Sequence, residues 1–386
     1  MKPANATFAE LGTTVFEVMS KLAVDHEAIN LGQGFPDTDG PEDVRRVAAD
    51  AAIRGPNQYP RMMGIDELRQ AVAAHEKRFY GLDIDWQSEV LVTSGATEAL
   101  ADCLLGLIEP GDEVVLIEPL YDSYLPIVRR AGGIPRLVRV TPPDWKLDAK
   151  ALADAFCENT KLVLLNNPLN PAAKVFSSEE LQLIADLAIR HDAYAVCDEV
   201  YEHLVFDGRP HQPLMTFPGM RERCLKIGSA GKTFSLTGWK VGYITAAAQL
   251  LAPVAKTHQF ITFTTPPNLQ RAVAFGLAKD DAYYRGLAAG MEAKRDRLAG
   301  GLAALGFKVM HSAGTYFITV DVRPLGLGND DVEVCRKLTT EAGVAAIPVS
   351  AFYAADAPRH FLRFCFCKSD EVLDEALRRL SAFLHG

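Results

Sequence analysis

The chain lacks the features that mark membrane, secreted and nucleic-acid-binding proteins. None of its 386 residues belongs to an apolar run of the roughly 18 residues that a membrane-spanning helix needs. The first residues lack the apolar core of a secretion signal. Lysine and arginine number 40 against 49 aspartates and glutamates, with no basic run, which argues against nucleic acid as the main partner. We therefore expect a cytoplasmic protein that binds neither membranes nor nucleic acids.

Cysteine is also scarce. Its seven residues are odd in number, scattered and mostly set in apolar segments, which favours reduced core cysteines. Cys365 and Cys367 lie two apart on a strand-like segment, which suits one face of a sheet better than a zinc site. We expect no metal.

What the chain does contain is typical of a large globular enzyme. Hydrophobic residues make up 48% of it and charged residues 23%, so a sizeable core is expected, in two domains or in one domain with a satellite. From residue 89 onward, short apolar runs alternate with helical patterns such as 97–108, which is typical of a mostly parallel sheet flanked by helices. The runs are 90–93, 113–119, 161–168, 193–201 and 225–232.

Ligands of such α/β sheets bind at the carboxyl ends of the strands. The polar residues at those ends are Ser94, Glu118, Asn166, Asp198 and Ser229. The last hundred residues read instead as short strands and a final amphipathic helix over 370–384. We predict a large domain over 46–285, and a smaller α+β domain formed by 1–45 and 286–386.

Lys232 is the centre of the stretch 225–243, LKIGSAGKTFSLTGWKVGY. The small residues 228–231 allow a ligand to approach the backbone closely. A lysine whose pKa is lowered by burial and by a cationic neighbour such as Lys240 is a nucleophile that forms Schiff bases with carbonyl compounds. Ser229 and the two lysines also suit a phosphate. The stretch predicts a bound aldehyde that carries a phosphate; the alternative is a surface loop with solvated lysines.

Two further charged residues lie in apolar surroundings. Asp198 closes an apolar strand, where a carboxylate is costly unless it meets a cation or a strong donor. It suits the nitrogen of a pyridine ring, or else an internal ion pair or helix cap. Arg363, in HFLRFCF, suits a substrate carboxylate, or else an internal salt bridge.

Weaker signals lie nearby. Tyr201 follows Asp198 by three residues, and Asn170 lies in the turn NNPLNPAAK, so both have the alternative of plain turn formation. In SGATEAL, a strand meets a helix, and the free amides at 95–97 form a site for an anion.

Together these segments resemble the class I aminotransferases of the pyridoxal-phosphate fold type I family, from about Ile29 to the C-terminus. The motifs GATEA, NPLNP, DEVY, SxxK and LRFCF occur in the family's order, and SAGKTFSLTGWKVGY is similar to its lysine signature. The turn departs from the family where Ala172 and Ala173 replace Thr-Gly. Many relatives carry arginine at the position of Lys240. A lysine there is similar to one subgroup, the kynurenine, glutamine and methionine aminotransferases, which also share patterns like NLGQGFPD and AIPVSAFY, so the resemblance favours that subgroup.

The resemblance implies a role for each site residue. Lys232 binds pyridoxal 5'-phosphate covalently and acts with Asp198 and Tyr201 in catalysis. The other implied cofactor contacts are Gly95, Ala96, Thr97, Ser229 and Lys240 at the phosphate, Tyr59 reaching it from a second subunit, Asp198 at the ring nitrogen, Tyr201 and Asn170 at the ring hydroxyl, and Tyr121 stacked on the ring. The implied contacts to the substrate carboxylate are Arg363, Gly34 and Asn170. Those around the substrate side chain are Phe16, Tyr59, Tyr121 and Phe263. Phe16 and Phe263 have the alternative of being plain core residues.

The implied activity is ping-pong transfer of an amino group between an amino acid and a 2-oxo acid, in a homodimer with shared sites. The absence of an obvious second arginine favours neutral donors such as methionine, glutamine or kynurenine-like aromatic amino acids. Aspartate aminotransfer and β-lyase chemistry on cysteine conjugates remain alternatives, the latter because it needs the same proton abstraction by Lys232. A serine acyl-transfer enzyme built on Ser229 and Lys232 lacks its S-D-N and K-T-G partner motifs.

Overall fold

A computed structural model describes residues 2–386. Within them the strands are β1 (Ile29–Asn30), β2 (Val90–Thr93), β3 (Glu113–Glu118), β4 (Ile134–Arg139), β5 (Thr160–Asn166), β6 (Tyr194–Asp198), β7 (Cys224–Ser229), β8 (Gly242–Ala246), β9 (Lys308–Val309), β10 (Phe317–Asp321), β11 (Val344–Ala345), β12 (Ile347–Pro348) and β13 (Phe361–Cys365). The helices are α1 (Ala6–Ala9), α2 (Val15–Asp25), α3 (Glu42–Arg54), α4 (Asp66–Tyr80), α5 (Gly95–Leu107), α6 (Tyr124–Arg130), α7 (Ala149–Ala155), α8 (Ser178–Arg190), α9 (Ala230–Thr233), α10 (Ala248–Ile261), α11 (Pro267–Leu277), α12 (Asp281–Ala304), α13 (Asp331–Glu341) and α14 (Asp370–His385). Short 3-10 helices cover Leu214–Thr216, Thr237–Trp239, Arg323–Leu325 and Val349–Phe352.

The central sheet has seven strands in the order β2-β8-β7-β6-β5-β3-β4. Only β8 runs against its neighbours, so the prediction of a mostly parallel sheet is confirmed. The apolar runs at 193–201 and 225–232 are shorter as strands than predicted, because the chain turns after Asp198 and enters α9 after Ser229. Strands β4 and β8 were not predicted. Most of β4 is not buried, since it lies at the edge of the sheet, and it therefore lacks the continuous apolar run of the central strands.

The remaining strands bring the two ends of the chain together. An antiparallel sheet has the order β12-β13-β10-β9, and β1 pairs in parallel with β11 through Ile29 and Val344. This pairing agrees with the grouping of the N-terminal segment and the C-terminal part in one domain, although the boundaries at 45 and 285 stay predictions. The final helix α14 buries Leu373, Ala376 and Leu380, the stripe that its spacing predicted.

Three structural observations concern membrane-spanning helices, cysteine thiols and possible metal ligands. Within residues 2–386, no helix is both long and apolar enough to cross a membrane. All seven cysteines carry free thiols, and all except Cys157 are buried. Two groups of side chains, His75 with Glu202 and His203, and Glu98 with Asp102 and His258, hold possible metal-ligand atoms within 4.8 Å of one another. The expected absence of a metal therefore stays a prediction, as does the cytoplasmic location.

A buried ion-pair cluster connects β7 to α4 and to the turn after β6. Lys226 is 1% exposed, and its Nζ lies 2.8 Å from Oε1 of Glu76 and 2.7 Å from Oε2 of Glu202. Tyr80 donates a further hydrogen bond of 2.7 Å to Glu202. Burial disfavours the ammonium of Lys226, but the two carboxylates outweigh it and raise the pKa of this lysine. The ammonium of Lys226 is therefore fully paired within the core.

We predict that Lys226→Met lowers the free energy of unfolding by about 3–5 kcal/mol, because it leaves buried carboxylates without their cation. The measurement is a urea titration followed by circular dichroism. Lys150→Met is the control, since Lys150 pairs with Asp154 on the exposed surface of α7 and its loss should leave stability nearly unchanged. Equal stability of the two variants would contradict the prediction.

Candidate active site

The carboxyl ends of the central strands surround one cavity. Ten residues predicted as cofactor contacts line it: Gly95, Ala96, Thr97, Tyr121, Asn170, Asp198, Tyr201, Ser229, Lys232 and Lys240. The strand-end residue Glu118 is not among the lining residues. It accepts hydrogen bonds from Arg139 and from the amide of Ala354 instead.

Lys232 lies in the short helix α9, directly after β7. Its Nζ donates a hydrogen bond of 2.8 Å to the hydroxyl of Tyr316, which in turn donates one of 2.6 Å to the carbonyl of Gly34. Burial lowers the pKa of Lys232, and the nearby ammonium of Lys240 lowers it further, against the opposing charge of Asp198. The neutral, nucleophilic form of the Lys232 amine is therefore more favoured in this site than it would be in a lysine exposed to water.

Asp198 presents its carboxylate to the cavity at the end of β6. Oδ2 accepts a hydrogen bond of 2.6 Å from the hydroxyl of Tyr124, and Oδ1 lies 3.5 Å from the amide of Val200. Burial raises the pKa of Asp198. Within residues 2–386, Asp198 forms no salt bridge, so the internal ion pair weighed from the sequence is absent. A cationic ring nitrogen in the cavity would supply the missing partner.

One end of the cavity is built for an anion. The helix α5 begins at Gly95, so the amides of Ala96 and Thr97 lack partners within the helix. A Cβ on Gly95 would lie 3.3 Å from Nζ of Lys240, which places that ammonium directly over the helix start. No acidic side chain within residues 2–386 pairs with Lys240, and Ser229 adds a hydroxyl to the lining. Amides, an ammonium and a hydroxyl together match a phosphate group.

Arg363 lies in a second cavity that shares Tyr121, Asn170, Tyr201 and Lys232 with the first. Its guanidinium is 1% exposed; Nη1 donates to Oδ1 of Asn170 at 2.9 Å, and Nη2 donates to the carbonyl of Gly32 at 2.8 Å. Nε has no partner within residues 2–386, and no salt bridge to Arg363 forms there. Burial lowers the pKa of Arg363 to about 10. This buried cation lacks an anion, which a carboxylate in the cavity would supply.

The predicted side-chain pocket is only partly assembled. Phe16 and Gly34 line the cavity of Arg363, where Phe16 packs on Phe352 with ring centroids 5.6 Å apart. Phe263 does not line that cavity. It packs against Tyr59, at 5.7 Å between centroids, and Tyr59 is 82% exposed. Within one chain these two rings therefore lie apart from Lys232, and a role for either needs a second chain.

Two residues of the candidate site, Tyr124 and Tyr316, were not predicted from the sequence, and Asn166 was predicted only as a polar residue at a strand end. Tyr124 and Tyr316 supply the hydrogen bonds to Asp198 and Lys232 described above. Asn166 donates from Nδ2 to the carbonyl of Asp198 at 2.9 Å and accepts the amide of Asn170 on Oδ1 at 2.7 Å. The strand-end position of Asn166 and the three-residue spacing of Tyr124 from Tyr121 were the available signals.

The unusual turn after Asn170 keeps a left-handed backbone without glycine. Ala173 has φ 56°, in the region that favours glycine, which is what the family carries at this position. The turn holds together because the amide of Ala173 donates to the carbonyl of Leu169 at 2.8 Å and that of Leu169 donates to the carbonyl of Lys174 at 2.8 Å.

Comparisons with known proteins agree with this geometry. The family model described as "Aminotransferase class I and II" matches residues 26–380. A probable N-succinyldiaminopimelate aminotransferase DapC of Mycobacterium tuberculosis is 48% identical over 380 residues, covering 96% of each chain. A methionine aminotransferase of Escherichia coli is 40% identical over 371 residues, covering 96% of each chain. Kynurenine–oxoglutarate transaminase 3 of Homo sapiens is 39% identical over 413 residues, covering 99% of this chain and 91% of the relative.

The fold also closely matches that of a solved structure. The solved structure of N-succinyldiaminopimelate aminotransferase from Mycobacterium tuberculosis superposes with a TM-score of 0.96 at 47% identity, covering 99% of this chain and all of the other. The resemblance and the fold class that the sequence predicted are thereby confirmed. The chain belongs to the class I and II aminotransferases, the enzymes that move amino groups with pyridoxal phosphate.

Proposed function

We propose that this aminotransferase takes its amino group from a neutral amino acid whose carboxylate binds Arg363. The single observation that supports this most directly is the buried guanidinium beside Lys232, in a cavity whose lining contains no second arginine. The same lining includes Asp122, which would repel an acidic side chain. Methionine, glutamine and kynurenine-like donors meet both conditions.

N-succinyldiaminopimelate is the second candidate donor, favoured by the identity of 48% to a relative named for it. That compound carries carboxylates besides the one next to its reacting amine. No further arginine of the same chain lines the cavity to neutralise them. A second subunit would have to supply the cation, which makes neutral donors our first choice.

We also propose a place for the cofactor. The amides of Ala96 and Thr97, with Ser229 and Lys240, would bind the phosphate. The remaining proposed contacts are Gly95 beside the phosphate, Tyr121 against the ring, Asp198 at the ring nitrogen, Tyr201 and Asn170 at the ring hydroxyl, Lys232 at the aldehyde and Tyr59 from a second subunit. When bound, pyridoxal phosphate supplies an aldehyde that takes up the amino group and a ring that accepts electrons.

Each residue of the site then has its own role in the reaction. Arg363 holds the substrate carboxylate in the cavity that borders Lys232. The lowered pKa of Lys232 favours its neutral amine, which is the form able to take the α-proton, and the ammonium so formed can later return that proton. Tyr316, hydrogen-bonded to that amine, keeps it in place. Tyr124 fixes the carboxylate of Asp198, so that its charge faces the ring nitrogen.

We also propose that the protein forms a homodimer. Tyr59 and the α10 end residues Phe260 and Ile261 are more than half exposed, and Phe263 is 41% exposed, which leaves large apolar side chains in solvent. A second copy of the chain covering them would also bring Tyr59 toward a neighbouring phosphate site.

We predict that pyridoxal phosphate, followed by borohydride reduction, labels Lys232. Its buried amine borders an anion site, so the adduct should appear in the peptide that contains Lys232 and disappear in Lys232→Ala. Peptide mass spectrometry is the measurement. Lys256→Ala, which removes an exposed lysine of α10, should leave labelling intact. An adduct confined to other lysines would refute the cofactor assignment.

We predict that kcat/KM for methionine, glutamine or kynurenine exceeds that for aspartate by roughly 100-fold or more, because an unpaired charge in a buried site costs about 3 kcal/mol. The assay measures the 2-oxo acid formed from each donor, with N-succinyldiaminopimelate included. Preference for aspartate would overturn the proposal, and preference for N-succinyldiaminopimelate would select the second candidate. Release of a thiol, ammonia and pyruvate from a cysteine conjugate, with no 2-oxo acid supplied as acceptor, would reveal β-lyase activity.

We predict that Arg363→Ala lowers kcat/KM for amino donors roughly 100-fold to 1,000-fold, since the substrate carboxylate loses a buried, charge-assisted partner. Steady-state kinetics measures the effect. Arg297→Ala, which breaks surface pairs to Asp370 and Asp374, should leave the kinetics unchanged. Unchanged kcat/KM in Arg363→Ala would place the substrate carboxylate elsewhere.

A further inference from the structure

Glu98 lies in the first turn of α5, behind the anion end of the cavity and not among its lining residues. One carboxylate oxygen accepts the backbone amide of Ser94, the residue that precedes the helix. The other lies 2.8 Å from Nδ1 of His258, on α10. Glu98 therefore connects the turn that begins α5 to a second helix.

His258 is fully buried and has acceptors on both ring nitrogens. Nδ1 faces Glu98, and Nε2 lies 3.1 Å from the carbonyl of Met62. The carbonyl of Met62 can only accept, so Nε2 is the donor in that contact, and Nδ1 forms a buried hydrogen bond with Glu98. Burial alone would raise the pKa of Glu98, but hydrogen bonds from His258, Thr262 and the Ser94 amide outweigh it and lower that pKa.

We infer that Glu98 and His258 are positioning residues that set the orientation of the phosphate-binding turn, 94–97. The inference rests on the proposed placement of the cofactor phosphate. By accepting the Ser94 amide, Glu98 fixes the start of the turn whose next amides face the cavity. A bare carboxylate near a phosphate would weaken binding by repulsion, and the hydrogen bond with His258 offsets part of the charge of Glu98.

His258 also holds the neighbouring loop. Its side chain binds the carbonyl of Met62, and its carbonyl accepts the amide of Phe263 at 2.8 Å. Tyr59 precedes Met62 by three residues and packs on Phe263. The same histidine thus supports the phosphate-binding turn and the segment that presents Tyr59.

Asp102 supplies a matched control on the same helix. It is 0% exposed, and its Oδ2 lies 3.7 Å from Nδ1 of His258, yet neither oxygen has a hydrogen-bond partner within residues 2–386. Burial, aided by the charge of Glu98, raises the pKa of Asp102 to about 8. It shares the burial of Glu98 and has no contact with the Ser94 amide.

The test compares two ligands of the cofactor-free protein, pyridoxal phosphate and pyridoxal, which lacks the phosphate. Fluorescence titration gives Kd for each. Glu98→Ala should weaken pyridoxal phosphate binding about tenfold, the worth of one or two hydrogen bonds to a charged group, and leave pyridoxal binding unchanged. Glu98→Gln should restore wild-type affinity, because its amide oxygen can accept the Ser94 amide while its NH2 group donates to a neutral His258.

Asp102→Ala should leave both affinities unchanged. His258→Ala should reproduce the selective loss of Glu98→Ala, and the double variant should lose no more than either alone, since the two residues act as one unit. Glu98→Asp, whose shorter side chain cannot span both contacts, replaces Glu98→Ala if the latter does not fold.

An equal loss for both ligands, or no loss for either, would overturn the inference. So would a loss in Asp102→Ala as large as that in Glu98→Ala. Failure of the wild-type protein to bind pyridoxal phosphate would instead refute the proposed cofactor site. The two failures are therefore distinguishable in one set of titrations.

Discussion

The hydrogen-bond chain from Lys232 through Tyr316 to Gly34 joins three parts of the molecule at the active site. Lys232 belongs to the central sheet region, Tyr316 precedes β10 of the antiparallel sheet, and Gly34 lies in the N-terminal segment. Only glycine fits at position 34, because a Cβ there would approach the ring of Phe317 to 2.5 Å. The hydrogen-bond partner of the Lys232 amine is the hydroxyl of Tyr316 and not a carboxylate. A carboxylate in that place would favour the charged form of the amine.

Buried charges in the structure fall into two kinds. Lys226 is paired with two glutamates, which satisfies it within the fold and leaves it nothing to bind. Arg363 and Asp198, by contrast, are buried without salt-bridge partners within residues 2–386 and face connected cavities. An unpaired buried charge destabilises the folded chain. The unpaired charges of this chain converge where a substrate carboxylate would pair with Arg363 and a protonated ring nitrogen would pair with Asp198.

The sequence predicted the site residues that lie at strand ends or within compact motifs, because parallel strands bring their carboxyl ends to one edge. Ten of the predicted cofactor contacts line one cavity for this reason. Contacts between distant segments were not predictable. The bonds of Tyr124 to Asp198 and of Lys232 to Tyr316 span 74 and 84 positions, and no local pattern encodes them. Likewise, the surface position of Phe263 depends on how α10 ends, with φ 71° at that residue.

The phosphate end shows why the orientation of one turn matters. A phosphate carries up to two negative charges, and within the cavity's anion end Lys240 contributes a single ammonium. The rest of the attraction must come from a hydroxyl, the helix dipole and amide groups, whose contributions depend on direction far more than that of a point charge. On the proposed placement of the phosphate, holding the Ser94 amide would therefore have a larger effect on phosphate binding here than beside an arginine, which can bind a phosphate through two donors at once. The Glu98–His258 pair and the lysine at position 240 are thus two parts of one arrangement, in which backbone geometry compensates for a weaker cationic partner.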